Sequence, residues 1–291
     1  MKLNMLTLNS NLNFGDRVNK IFWEKLADKT IYFDSNENHF VTTGSILCLV
    51  NNKSHVFGTG FISEYGDMGG GQFESHLSRL ICKPHLISAV RGPLTRDKIL
   101  GFDIDCPEIY GDPLMLMPCL YEPCDVNKTE LQKTVGIIPH YVDSNSDNLK
   151  QLSRALELNH LKVKHIDIRV GENYKQLINQ ISSCEYIISS SLHGVIMGIM
   201  YHKKTIFMEF SDLVLGDGFK FQDFFESIGV KYSNTNIYKE DCLNNIIHVD
   251  YDKVSQTTLS LISAIPFCSR TQKQQLINKF IKFHNANIPQ T

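Results

Sequence analysis

Cys184-Glu185-Tyr186-Ile187-Ile188-Ser189-Ser190-Ser191-Leu192-His193-Gly194-Val195-Ile196-Met197-Gly198-Ile199-Met200-Tyr201 carries a strand, a turn and a helix in one run. Residues 186–188 are short and apolar, as a buried strand is. Residues 195–201 are apolar nearly all round, which marks a buried helix. Three serines, a leucine, a histidine and a glycine form the turn between them. In a chain that alternates strands and helices, such a unit lies at the carboxyl edge of a parallel sheet, where ligands gather. The unpaired N–H groups of the new helix, with the positive end of its dipole, suit a phosphate or a carboxylate. His193 stands in that first turn, beside any anion bound there. The competing reading is plain: serines ahead of a helix are ordinary N-caps, and a histidine there can be purely structural.

The same pattern extends on both sides of this run. Residues 135–138 read as a strand that ends at Pro139-His140-Tyr141-Val142-Asp143, and residues 147–158 as a helix. Residues 163–168, 172–182 and 204–209 read as strand, helix and strand. This alternation predicts a parallel sheet with helices on both faces and right-handed crossovers. Residues 209–225 run from a strand end into a helix and bring Glu209 and Lys220 to one sheet edge.

The first half is built alike. Residues 2–8 read as a strand, and a helix is expected over residues 17–27. The turn between them holds Asn13, Gly15 and Asp16, with Asp16 placed to cap the helix. Residues 55–61 form a strand that ends in Gly58-Thr59-Gly60, a weak phosphate signal or simply a tight turn. Residues 66–72 contain three consecutive glycines and read as a loop. The strand over residues 85–90 ends at Arg91, and Pro93 opens a helix over residues 93–100. Arg91 therefore sits as His193 does, between strand and helix. Its guanidinium can grip a phosphate or carboxylate with two parallel bonds, or pair with Asp97.

With 291 residues, 42% apolar and 21% charged, the chain can build two cores of ordinary size. Residues 118–133 are richer in charge and poorer in apolar side chains. Three segments follow: an N-terminal Rossmann-like domain over 1–125, a C-terminal one over 126–265, and an amphipathic helix over 266–291. In the last, Leu276, Ile277, Phe280 and Ile281 share one face and Lys273, Lys279 and Lys282 lie off it. That helix docks on the body, or makes a weak peripheral contact with anionic lipid. A net charge of −2 argues against a duplex nucleic-acid partner. No secretory leader and no apolar run long enough to span a bilayer are apparent, so a cytoplasmic location is expected. Cys48, Cys82, Cys106, Cys119, Cys124, Cys184, Cys242 and Cys268 make no Cys-x-x-Cys pair and read as reduced thiols. No ligand cluster or Walker motif calls for a metal, and no cofactor is expected.

Asn13-Phe14-Gly15-Asp16, Gly58-Thr59-Gly60, the run from Val90 through Arg96, Gly111-Asp112-Pro113, the run from Gly136 through Tyr141, Ser190-Ser191-Leu192-His193-Gly194 and Gly216-Asp217-Gly218-Phe219-Lys220 follow one another in order. On these motifs the chain resembles the polysaccharide pyruvyltransferase family. The resemblance implies two Rossmann-like domains facing across a cleft, the GT-B-like arrangement. It also implies transfer of pyruvate from phosphoenolpyruvate (PEP) onto two hydroxyls of one sugar, as a ketal, in a bacterial surface polysaccharide or its precursor. PEP and an oligosaccharide or lipid-linked glycan are then the partners. In such enzymes a Leu-His-Gly segment and an upstream arginine are associated with PEP, which carries over to Leu192, His193 and Arg91. One position departs: many members place an arginine directly before Leu-His-Gly, where this chain has Ser191. Arg91, Lys220 and backbone N–H groups must then hold the anion, or the donor site is rearranged.

PEP chemistry needs a proton for C3, a hold on phosphate and a positioned diol. His193 is the first candidate for the acid or for a phosphate clamp, and Asp16 for the base, with His140 as its rival. Asn13, Gly15, Thr59, His140, Ser190, Ser191, Leu192, Gly194, Glu209 and Lys220 are the candidate substrate contacts. A nucleotide-sugar glycosyltransferase of the same fold and a non-catalytic glycan-binding protein are the alternatives.

Overall fold

The computed structural model describes residues 2–7, 14–64, 83–123, 133–169, 173–231, 234 and 236–288, with Phe14, Asp16 and Arg17 placed by backbone alone. Asn13, the triple-glycine segment at 66–72 and the expected boundary near residue 125 lie outside the described residues.

Short apolar runs form β1 (Lys2–Asn4), β2 (Thr30–Tyr32), β3 (His39–Val41), β4 (Ser54–Phe57) and β5 (Leu86–Ala89) in the first half. The second half holds β6 (Thr134–Ile138), β7 (Lys162–His165), β8 (Tyr186–Ser189) and β9 (Lys204–Phe207). Every pairing among these strands is parallel. Parallel neighbours need crossovers, and helices supply most of them. α1 (Phe14–Ala27) joins β1 to β2, and α2 (Pro93–Leu100) and α3 (Met117–Leu120) follow β5. α4 (Asp147–Leu158), α5 (Tyr174–Ser182) and α6 (Leu192–Met200) link β6 through β9, and α7 (Phe219–Ser227), α8 (Tyr251–Ala264) and α9 (Arg270–Asn287) complete the chain. The protein is a mixed α/β fold with parallel sheets flanked by helices, as the alternation predicts.

The second sheet runs β7-β6-β8-β9. In the first half, β2 pairs with β1, and β3, β4 and β5 form a neighbouring sheet. A Met5–Phe40 bridge and a 2.8 Å bond from the Leu6 N–H to the Phe40 carbonyl tie the two together in the order β2-β1-β3-β4-β5. In each half the chain therefore steps one way from its first strand and then the other. The crevice at such a reversal, beyond the carboxyl ends of the strands, is the usual ligand site. Here those crevices lie beyond β1 and β3 and beyond β6 and β8.

β6 is buried along its whole length and α6 is buried all round. Two glycines let α6 lie close on the sheet: a Cβ on Gly194 would fall 2.3 Å from the Ser189 Oγ, and one on Gly198 2.5 Å from the Thr205 Oγ1. One apolar cluster continues from Leu3, Phe22 and Trp23, through Leu114 to Met117, to Ile196 and Met200. α9 closes the fold with Leu276, Phe280 and Phe283 buried, and Ser269 and Gln272 cap it reciprocally. Phe267, just ahead of it, sets its ring edge-on to Trp23 of α1 at 4.9 Å. The C-terminal segment thus packs against the first half.

Several strands end earlier than expected, β1 at Asn4, β4 at Phe57, β7 at His165 and β9 at Phe207, and two helices begin earlier. α1 begins at Phe14, so Asp16 lies inside the first turn and is not the N-cap. α6 begins at Leu192, so His193 and Gly194 are helical.

Candidate active site

The turn after β8 is held by its own serines. The Ser189 hydroxyl lies 2.8 Å from the Ile138 carbonyl and accepts the Ser191 N–H at 3.0 Å. Ser190 accepts the His140 N–H at 2.8 Å and donates to the Asp143 Oδ2 at 2.5 Å. Ser211, beyond β9, donates to the other oxygen of Asp143. Asp143 is fully buried and so ties together the turns that follow β6, β8 and β9. Ser191 is the N-cap of α6 in extended backbone, yet its hydroxyl caps nothing. The helix start is left open to an anion.

His193 is the second residue of α6 and is buried. Gly15, at the start of α1, lies directly on its ring: a Cβ there would come 2.2 Å from His193 Cε1 and 2.8 Å from Nε2. Only glycine permits that approach. The beginnings of α1 and α6 therefore meet at one imidazole, and Asp16 is the next residue of α1.

Arg91 ends the strand that precedes α2 and is fully buried. Its Nε donates to the Asp223 Oδ2 at 3.0 Å, its Nη1 to the Ser45 Oγ at 2.6 Å, and its Nη2 to the Phe61 carbonyl. Where the sequence offered an anion or, as the alternative, Asp97 as the partner of Arg91, the structure pairs it with Asp223. α7 crosses the start of α2, and only that long-range packing brings Asp223 there. Asp223 also does what Gly92, the N-cap of α2, has no side chain to do. It accepts the Thr95 N–H at 2.9 Å and the Thr95 hydroxyl at 2.6 Å. A Cβ on Gly92 would meet the Asp223 carbonyl oxygen at 1.9 Å, so this contact also requires glycine.

Lys220 lies three residues before Asp223 on the same face of α7 and is only 7% exposed. It forms no hydrogen bond or ion pair with any of the described residues; its Nζ stands 5.5 Å from the centre of the Phe221 ring. Burial first, then the Arg91 charge, lower its pKa to about 8, and Glu209 and Asp143 offset part of the fall. His193 is held down to about 3 by burial and by the charges of Lys220, Arg91 and His140. His140 is also held down to about 3, by burial and by Lys220. These mutual effects place Lys220, Arg91, His193 and His140 in one electrostatic neighbourhood. Both imidazoles are neutral at pH 7, whereas the lysine is charged. An anion would relieve the repulsion and raise all three pKa values.

Other candidates take supporting places. Thr59 is buried, donates to the Gly44 carbonyl at 2.7 Å and accepts the Ile46 N–H at 3.3 Å, tying two turns behind Arg91. Leu192 belongs to the apolar core. The Glu209 carboxylate accepts from Asn234, and burial followed by the charge of Asp143 raises its pKa. Asp143, Asp223 and Asp112 were not among the sequence candidates. Asp112 caps the turn at Pro113–Leu116 through a 2.9 Å bond from the Leu114 N–H, and burial pushes its carboxyl up to about 6. The Gly111-Asp112-Pro113 motif, the strand-end place of Asp143 and the three-residue spacing of Lys220 and Asp223 were the sequence signals for this group.

Buried basic side chains and a helix start without a side-chain cap stand at the carboxyl edges of the parallel sheets of an α/β protein. The family model described as polysaccharide pyruvyl transferase matches residues 17–212, and the chain belongs to that family. It is also 28% identical over 288 residues to a protein of Acanthamoeba polyphaga mimivirus described as uncharacterized, an alignment covering 96% of this chain and 92% of that one. The family match includes Arg91, His140 and His193 and ends before Lys220 and Asp223.

Proposed function

We propose that this chain transfers pyruvate from PEP to two hydroxyls of one sugar, in a surface polysaccharide or its precursor, and leaves a ketal. Membership of the polysaccharide pyruvyl transferase family supports pyruvyl transfer; the donor and the ketal are our reading. The observation that carries it is Lys220: a buried cation lacking a hydrogen-bonding or ionic partner among the described residues, beside two neutral histidines and an uncapped helix start. PEP carries a phosphate and a carboxylate, enough negative charge to satisfy that lysine and the N–H groups of α6 together.

In this reading PEP sets the protonation state it needs. His193 is neutral in the empty site; the arriving anion raises its pKa, and it takes up a proton. His193 then protonates C3, which becomes a methyl group, and C2 becomes an oxocarbenium-like electrophile. One sugar hydroxyl adds to C2 and loses its proton to a base, Asp16 or His140. The C2–O bond to phosphate breaks, the second hydroxyl adds to C2, and its proton leaves with inorganic phosphate. Lys220 holds the phosphate throughout, and Arg91 is a positioning residue that lends charge while it joins α2 to α7. Incubating the protein with PEP and candidate oligosaccharides tests this. Equal amounts of released phosphate and of ketal product, seen by mass, are expected. Phosphate release without a ketal, or no release with any diol, would count against the reading.

A further inference from the structure

The turn Pro139-His140-Tyr141 has two sides. His140 belongs to the anion site, within the field of Lys220 and His193. Tyr141, whose ring lies 4.4 Å from that of His140, lines a separate cavity of about 260 Å³. Pro139, Ser144, His165, Asp167 and Arg169 also line it, so it opens at the carboxyl ends of β6 and β7. Its volume lies below the usual range for drug-sized ligands and suits a single sugar ring.

The chemistry of this cavity differs from that of the anion site. Arg169 donates from Nε and from Nη2 to the two oxygens of Asp167, each at 2.9 Å, and its backbone N–H adds a 2.8 Å bond. The pair is half exposed. Two oxygens offer about four acceptor sites, Arg169 takes three of them, and one remains on the Asp167 Oδ2. The Ser153 hydroxyl donates to the Leu149 carbonyl at 2.8 Å, so His165 Nε2, 3.2 Å away, must donate to Ser153. With its ring proton on Nε2, the imidazole carries its acceptor at Nδ1. A carboxylate, an imidazole acceptor and a tyrosine ring match neighbouring hydroxyls and the C–H face of a pyranose.

We propose that this cavity holds a pyranose unit of the acceptor glycan, with the Asp167 Oδ2 accepting from one hydroxyl, the His165 Nδ1 from its neighbour, and Tyr141 stacking on the ring. This rests on the sugar acceptor of the reading above, and it puts acceptor and donor on opposite sides of one three-residue turn. Saturation-transfer NMR on the whole protein, without PEP, tests it with the methyl α-glycosides of glucose, galactose and mannose, and with uridine. At least one glycoside should bind. Asp167→Asn and Tyr141→Ala should each weaken that binding, the former by ~10–100-fold, the range of a hydrogen bond to a charged group. Far-UV circular dichroism melts show whether each variant is folded. Binding of no glycoside, glycoside binding that survives both substitutions, or binding of uridine alone would overturn the proposal. Because PEP is absent, a failure of the donor reading appears separately, in the phosphate-release assay.

Discussion

Lys220→Met removes a buried charge and keeps a flexible side chain of similar reach. A fall in pKa from 10.5 to about 8 on folding means that the charged lysine works against the empty fold. At 1.36 kcal/mol per pKa unit, the penalty near neutral pH is roughly 3 kcal/mol. Methionine has no charge to desolvate and adapts to irregular space. The variant should therefore melt higher than the native protein at pH 7, by roughly 6–12 °C at about 2–4 °C per kcal/mol. The pH dependence has a definite sign. Between about pH 8 and 10.5 the unfolded chain holds the Lys220 proton that the folded chain has released, so this group makes the native protein gain stability as pH rises. The gap between variant and native protein should close over that window. PEP should stabilise the native protein most below pH 8, where the lysine is charged, and the methionine variant little at any pH. Circular dichroism melts at pH 7 and at about pH 10, with and without PEP, test all three statements. A methionine variant that melts lower at pH 7, or that keeps the full response to PEP, refutes the reasoning.

Asp223→Asn should lower the melting temperature strongly, because Arg91 is left buried and unpaired, a loss of about 3–5 kcal/mol; the amide oxygen can still accept the Thr95 N–H, so a change of under ~2 °C would deny the pair its structural role. His193→Ala should reduce turnover by ~10²–10⁴-fold while the fold survives, as for general acids; near-native turnover would remove His193 from the proton transfer. Gly15→Ala places a methyl within 2.2 Å of His193 Cε1, so either the imidazole or the start of α1 must move. Turnover should then fall more than stability, and a fully active alanine variant would show that the contact is not needed.

Elements were legible where local pattern decides them. Helices at Pro93–Leu100 and Asp147–Leu158 match their expected limits, because a helix-opening proline and an amphipathic period mark them within a few residues. The starts of α1 and α6 lie three residues before the expected ones, because Gly15 and the serine-glycine turn at 189–194 read locally as loop. For Arg91, residue type and strand-end position were readable, and its partner was not. A nearby aspartate on the following helix was the local choice, whereas Asp223 lies 132 residues on. Asp143 stood in plain view at a strand end, but its role depends on hydroxyls from Ser190 and Ser211. Lys220 could be placed at the sheet edge from sequence; that it is buried and without a partner among the described residues follows only from packing.

The central claim is that Lys220, His193 and the start of α6 together form a PEP site. Thermal unfolding of the native protein with ligand but no sugar tests it most directly. At ~100 times its dissociation constant PEP should add about 2.7 kcal/mol, a rise of several degrees. Inorganic phosphate should give a smaller rise, because it lacks the carboxylate, and UDP- or GDP-sugars none. A clear rise with nucleotide sugars and none with millimolar PEP would contradict the account.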